Sequence, residues 1–350
     1  MLEFNSTRHN PLIDPHLAVW SWEIPLYLFV GGIVAGMMVL GGLAMHRTAR
    51  GEDTRRFFSM QAPLLGFVLM NLGMLALLLD LTHRLYVWRI YTTFQVASPM
   101  AWGSWVLLVV YGVLLLSAMV RLHEAWPWLG RRLALVQRVS DAITGDPIRL
   151  QALGWANLVL GVGLGIYTGI LLNTMVARPL WNSAILGPLF LVSGLSAGVA
   201  TLHIAATLLQ GRSAPQGMVG GAFASLLLPL GPQHPDKPTA QALVRQDQVF
   251  LAVELVFIGL LLANLYTSSA SHVAAASLIT TGPYALAFYV GVVGVGVLVP
   301  LAWQALELAH KVPHTVVPAV LVLAGGATLR WVMVNAGQLS EISATAGRMP

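Results

Sequence analysis

Cysteine is absent from this sequence. That excludes disulfides, thiolate metal sites, iron–sulfur clusters ligated by this protein and c-type haem attachment. Any redox group held through sulfur must therefore sit in a partner. Charge is also scarce: only 9% of the 350 residues are Asp, Glu, Lys or Arg, against about 25% in an ordinary soluble domain. So little charge cannot cover a water-facing surface, and the bilayer must be the solvent for most of it. A hydrophobic content of 57% and a mean hydropathy of +0.74 agree. No cleavable signal is evident. The first apolar run starts near residue 17, is too long for a signal core and contains Glu23, so it is read as a retained span.

What is present is a set of long apolar runs. A span needs about 20 mostly apolar residues. Eight stretches qualify: roughly 17–45, 61–82, 100–121, 150–176, 182–209, 248–269, 282–308 and 313–336. They are numbered here as spans 1 to 8. The apolar stretch 217–230 is too short and reads as re-entrant or interfacial.

Eight spans put both termini on one side. The loops on the other side hold Arg47, Arg50, Arg55, Arg56, Arg121, Arg131, Arg132, Arg138, Arg149, Arg212, Lys237, Arg245 and Lys311, which is 13 of the 19 basic residues. Cytoplasmic loops collect lysine and arginine, so both termini are expected outside. The formal charge of +5 belongs to these loops, and no nucleic-acid partner is implied.

A faint internal repeat runs through the sequence. Span 1 has Pro25-Leu-Tyr-Leu-Phe-Val-Gly-Gly-Ile-Val-Ala-Gly36, and span 5 has Pro188-Leu-Phe-Leu-Val-Ser-Gly-Leu-Ser-Ala-Gly198. Gly32/Gly36 and Gly194/Gly198 each let a neighbouring backbone approach. Asp80-Leu81 in span 2 matches Asn264-Leu265 in span 6, and Pro99-Met-Ala101 matches Pro283-Tyr-Ala285. An offset of four spans preserves direction. The expected fold is all-α and integral to the membrane: about eight transmembrane helices as two parallel-repeat four-helix bundles, residues 1–178 and 179–350, both termini extracytoplasmic.

The repeat points to a site. Where the first half has Glu23, Tyr27 and Asp80, the second has Leu186, Phe190 and Asn264. Glu23 and Tyr27 share a helix face near the outer end of span 1. Asp80 ends span 2, with His83 and Arg84 beyond it. Ser98 and Trp102 flank the start of span 3, and Tyr167 lies about 13 Å from the outer end of span 4. Such a zone suits a quinone. The tail needs an apolar slot, the head a donor or acceptor at each carbonyl, and the two protons need carboxylates or a histidine to reach water. Asp80, His83, Tyr167 and Glu23 are the expected catalytic set, with Tyr27, Ser98, Trp102 and Arg84 binding the ring. Each has a plainer reading: Asp80 can pair with Arg84, Glu23 can reach the interface, and Tyr27 and Trp102 can be belt or packing residues.

His203, Glu254 and Glu307 lie toward the inner side of the second half and are candidates for a proton path; capping and loop pairing are the alternative. Arg330 and Asn335 lie toward the outer side of span 8. Only His203 is well inside a span, so neither haem nor a metal is expected.

The runs Tyr27–Gly36, Asp80-Leu81 with Ser98-Pro-Met-Ala-Trp-Gly-Ser-Trp105, Tyr167-Thr-Gly-Ile-Leu-Leu172 with Pro179-Leu-Trp181 and Pro188–Gly198, and Gly325-Gly-Ala-Thr-Leu-Arg330 with Asn335-Ala-Gly-Gln338 occur in that order. Together they resemble the NrfD-like family, membrane subunits of the polysulfide reductase type, over nearly the whole sequence. The resemblance implies a quinone-reactive subunit of the bacterial or archaeal inner membrane, with menaquinone or ubiquinone as exchangeable substrate and no bound cofactor of its own. It implies a ferredoxin-like, multi-cluster iron–sulfur subunit on the extracytoplasmic side, often joined to a molybdopterin catalytic subunit. It also implies a quinone contact from a span-4 tyrosine, for which Tyr167 is the candidate. A secondary transporter is the alternative, but transporters favour inverted repeats and a midplane site. A passive anchor is another, but it needs neither eight spans nor buried carboxylates.

Overall fold

The computed structural model describes residues 20–51, 56–96, 98–125, 133–208 and 237–340. The stretch 217–230 lies outside them, as do Arg55, Arg131, Arg132 and Arg212. Among the described residues eight helices are long and apolar enough to cross a membrane. They are Glu23–Ala49, Ala62–Asp80, Pro99–Leu122, Pro147–Asn173, Leu186–Thr207, Gln241–Thr267, Ala287–Leu308 and Val317–Leu339. Each coincides with one expected span. Span 6 begins about two turns earlier than its hydropathy indicates, inside a helix that starts at Lys237. The added turns carry Arg245 and Asp247, and the latter is buried and hydrogen-bonded rather than left in a loop.

Local chemistry sets several boundaries. Asp146 caps span 4, its carboxylate accepting from the Ile148 amide at 2.9 Å. Pro147 then occupies the first helical position, where the missing N–H costs nothing. Three connections carry short helices that hydropathy does not flag: Arg89–Thr92, the amphipathic Ala134–Thr144, and Ala270–Thr280.

Both ends of the described residues meet at one end of the assembly. The Trp20 amide donates to Gln338 Oε1, and Gln338 Nε2 donates to the Trp20 carbonyl, each at 2.9 Å. Arg178 from the span 4–5 connection donates to the Gln338 and Ser340 carbonyls. Trp181 closes the same corner by donating Nε1 to the Met333 carbonyl at 2.7 Å. This is called the terminal end below, and the opposite side the loop end.

Spans 1 and 5 form the centre, with 78% and 72% of their apolar windows buried against 28–56% for the rest. Span 1 touches spans 2, 4, 5 and 8; span 5 touches spans 4, 6 and 8; span 3 packs on 2 and 4; span 7 packs on 6 and 8. The glycines that matched in sequence meet in space. A methyl group built on Gly32 would lie 3.5 Å from the Gly194 Cα, and one on Gly36 would overlap the Gly194 carbonyl oxygen. In lipid there is no hydrophobic drive between helices, so this backbone-to-backbone contact is what joins them. Gly36→Val is expected to lower stability by about 3 kcal/mol or more, because backbone atoms give way far less easily than a flexible side group. Thermal unfolding of the purified protein reads this out. Gly31→Val, where a methyl meets nothing within 4 Å, is the control and should melt within about a degree or two of wild type.

Candidate functional site

The terminal end of the first four spans brings part of the expected set together. Glu23 opens the helix of span 1, and Asp80 is the last residue of the helix of span 2. Both are half-buried, and each carboxylate lies within electrostatic reach of the other. Glu23 Oε2 is buried and finds no hydrogen-bond partner among the described residues. Burying a carboxylate oxygen without a hydrogen-bond partner is costly.

One turn further in, Tyr27 is 4% exposed. Its ring lies over Gly73 of span 2, where a Cβ would sit 3.7 Å from Cδ2. It lies within charge reach of the Tyr167 and Tyr91 hydroxyls. Tyr167 crosses from span 4 to the start of span 3 and donates its hydroxyl to the Pro99 carbonyl at 3.1 Å. That crossing requires Gly103, because any Cβ there would overlap the phenol oxygen. Pro99 contributes through its backbone: its carbonyl accepts from Tyr167 at the point where the span 3 helix starts.

The remaining expected residues are placed differently. Ser98 accepts from the Ala101 amide at 3.4 Å and so works as a helix cap for span 3. Trp102 is 51% exposed, donates Nε1 to the Val96 carbonyl at 2.8 Å and meets Phe94 edge-on. It faces away from Tyr167, as an interfacial belt residue does. Arg84 donates to the Leu79 carbonyl at 2.8 Å, tying off the end of span 2, and no described ion pair joins it to Asp80. His83 is exposed and meets the edge of Tyr86. It lines an open hollow of about 680 Å³ with Leu81, Thr82, Val87, Arg89 and Ile90, directly beyond Asp80.

Tyr91 and Gly103 belong to the cluster and were not singled out as site residues in the sequence. Gly103 stands within the Ser98–Trp105 run, so a glycine facing a tyrosine from another span was the available signal. Tyr91 sits in a connection with no periodicity to flag it.

Of the candidates in the second half, His203 and Glu307 lie toward the loop end, whereas Glu254 stands at the middle of span 6 rather than at its inner side. His203 of span 5 is 7% exposed, and its Nε2 stands 3.0 Å from Nε2 of His314. Glu307 takes the other side of His314, Oε1 to Nδ1 at 2.5 Å. Glu254 is 4% exposed, accepts from Ser193 and faces the charge of Arg330. Arg330 is 1% exposed. Its guanidinium donates to the Phe190 carbonyl at 3.0 Å and to Ser193, and it stacks 4.9 Å over the Phe190 ring. The expected outer-side arginine is thus a deeply buried one, held by acceptors and a ring around its guanidinium. Among the described residues no group of three or more His, Cys, Asp or Glu could hold a metal ion.

Residues 8–341 match the family described as polysulphide reductase, NrfD. The protein belongs to this family. It is 28% identical to the C subunit of polysulfide reductase from Wolinella succinogenes, over 91% of its own length and 94% of that subunit. It is 30% identical to protein NrfD of Escherichia coli, covering 92% and 96%. It is 25% identical to the protein NrfD homolog of Haemophilus influenzae, covering 94% and 97%. NrfD-family proteins are multi-pass membrane subunits of respiratory oxidoreductases and work with the other subunits of those complexes, and this protein is such a subunit.

Proposed function

We propose that this protein is the quinone-reactive subunit of its complex, with the reaction at the terminal end of spans 1 to 4. The observation that carries the reading is the buried, unpartnered oxygen of Glu23 beside Asp80, with Tyr27 and Tyr167 enclosing the inner side. A quinol gives up two electrons and two protons. Two neighbouring carboxylates can take the protons, and the exposed His83 in the hollow beyond Asp80 can pass them to water. The Tyr167 hydroxyl, already oriented by Pro99, can turn from that carbonyl to a quinone oxygen. The sequence offers no sulfur ligand for a redox group, so the electrons pass to or from a multi-cluster iron–sulfur subunit docked at the terminal end, and from there to a catalytic subunit of the molybdopterin kind. The charge asymmetry of the loops favours the terminal end lying outside the cytoplasmic membrane. Menaquinone or ubiquinone is then an exchangeable substrate entering from lipid.

The test is a titration of the purified complex with a non-reducible quinone analogue, followed by tryptophan fluorescence. Saturable binding is expected in wild type and a large loss of affinity in Gly103→Val, where Tyr167 must leave its place. Equal affinity in both would remove Tyr167 from the site. No saturable binding in wild type would end the quinone reading and leave the anchor or transporter alternatives.

A further inference from the structure

The second half of the molecule holds a line of polar groups that the quinone chemistry does not use. It starts at the loop end with His314, whose side group is 45% exposed. His314 joins Glu307 and His203, its ring stacked on His203 at 4.7 Å. One turn back along span 7 from Glu307, Gln304 Nε2 donates to Asp247 Oδ2 at 2.6 Å. Ser196 of span 5 donates to the other oxygen of Asp247 at 2.5 Å. Two turns along span 6 from Asp247 lies Glu254, which accepts from Ser193. Each helix contributes from one face: Ser193, Ser196 and His203 on span 5, Asp247 and Glu254 on span 6, Gln304 and Glu307 on span 7.

A purely structural network in a bilayer closes on itself, because an unpaired polar group there costs several kcal/mol. This one does not close. Gln304 Oε1 and Glu307 Oε2 are buried without a hydrogen-bond partner among the described residues. Both lie between the histidine pair and Asp247, where successive bonded sets are about one helical turn, ~5.4 Å, apart. A bridging water fits such a step. The line is also open at one end to solvent, through a histidine.

The inner end is different. Arg330 lies within charge reach of Glu254, shares Ser193 with it, and abuts span 1, where a methyl group on Gly32 would be 3.1 Å from Nη2. Its guanidinium is fixed by Phe190 and Ser193. A fixed buried cation repels an advancing proton.

We propose that spans 5 to 8 contain a dead-end proton inlet that opens at the His314–His203 pair and terminates at Glu254, where Arg330 bars passage into spans 1 to 4. A proton bound from water at one nitrogen of His314 releases the proton of the other to its neighbour, and no bond but N–H and O–H is made or broken. The inlet loads Glu254 from the side opposite the carboxylates of Glu23 and Asp80. What would drive it rests on the proposed quinone reaction. Gly32 lies about 7.5 Å along span 1 from Tyr27, so Arg330 is the charge of this region nearest to the proposed quinone site along span 1.

The experiment uses the whole complex in sealed vesicles. Without any quinol, a pH step on the loop-end side should change a carboxyl infrared band that is missing in Glu254→Gln. In His314→Gln the response should slow about a hundredfold, while quinol turnover of the same variant in detergent stays within about twofold. Zinc ion, added as a probe, should block the wild-type response and not the residual one in His314→Gln, since two facing imidazole nitrogens make a ligand pair. An unchanged response rate in His314→Gln would overturn the inlet, and so would a band that follows pH from the terminal-end side instead. The infrared step needs no quinone, so its failure is separate from a failure of the quinone titration.

Discussion

Asp80→Asn is expected to lower quinol turnover about a hundredfold, the usual size of a lost proton acceptor. Asp80 is the last residue of its helix and half-buried, so the amide is accommodated and the protein should fold normally. What disappears is a carboxylate able to take a proton beside Glu23. Glu23→Gln should cost a similar factor. The double variant should cost much less than the product of the two, because groups that act as one unit are not additive. Turnover of the purified complex with a reduced quinol and an artificial electron acceptor measures all three. Full turnover in both Asp80→Asn and Tyr167→Phe would sink the site assignment.

Removal of the buried arginine should produce the largest stability effect. Arg330→Met takes a hydrogen-bond donor from the Phe190 carbonyl and the Ser193 hydroxyl and removes the positive charge within electrostatic reach of Glu254. Breaking a buried charge pair from one side typically costs about 3–5 kcal/mol. Adding Glu254→Gln to Arg330→Met should recover a good part of that loss, since no carboxylate then remains unpaired. Thermal unfolding of the four proteins of this cycle gives the coupling directly. Simple addition of the two single losses would show that Arg330 and Glu254 do not interact.

The existence and number of spans were legible because a bilayer selects for about 20 apolar residues at a time, and the composition leaves no other way to cover the surface. Glu23 and Asp80 were legible because ionisable groups in apolar runs stand out. Trp102 shows where this stops. The spans are apolar on all sides, lipid being as apolar as the interior, so no periodicity tells a lipid-facing residue from a site-facing one. Span 3 turns Trp102 outward and Gly103 inward, and only packing against Tyr167 decides that. Asp247 was missed for a related reason: it lies within the first two, more polar turns of span 6, which hydropathy alone trims away. His314 was out of reach altogether. It is 111 residues from His203 and sits in a connection.

By itself the sequence determined that this protein lives in a bilayer, has eight stretches long and apolar enough to cross it, holds no cysteine to ligate a cluster and carries Glu23 and Asp80 at matching ends of its first two spans. Those are matters of composition and local pattern, and the solvent enforces them. The tertiary structure decided which polar groups come within reach of one another: the charges of Glu23 and Asp80, of Tyr27 and Tyr167 and of Arg330 and Glu254, and the hydrogen-bonded pair His203 and His314. Contacts between distant segments depend on the rotation of each helix about its own axis, set by glycine contacts and buried hydrogen bonds rather than by hydropathy.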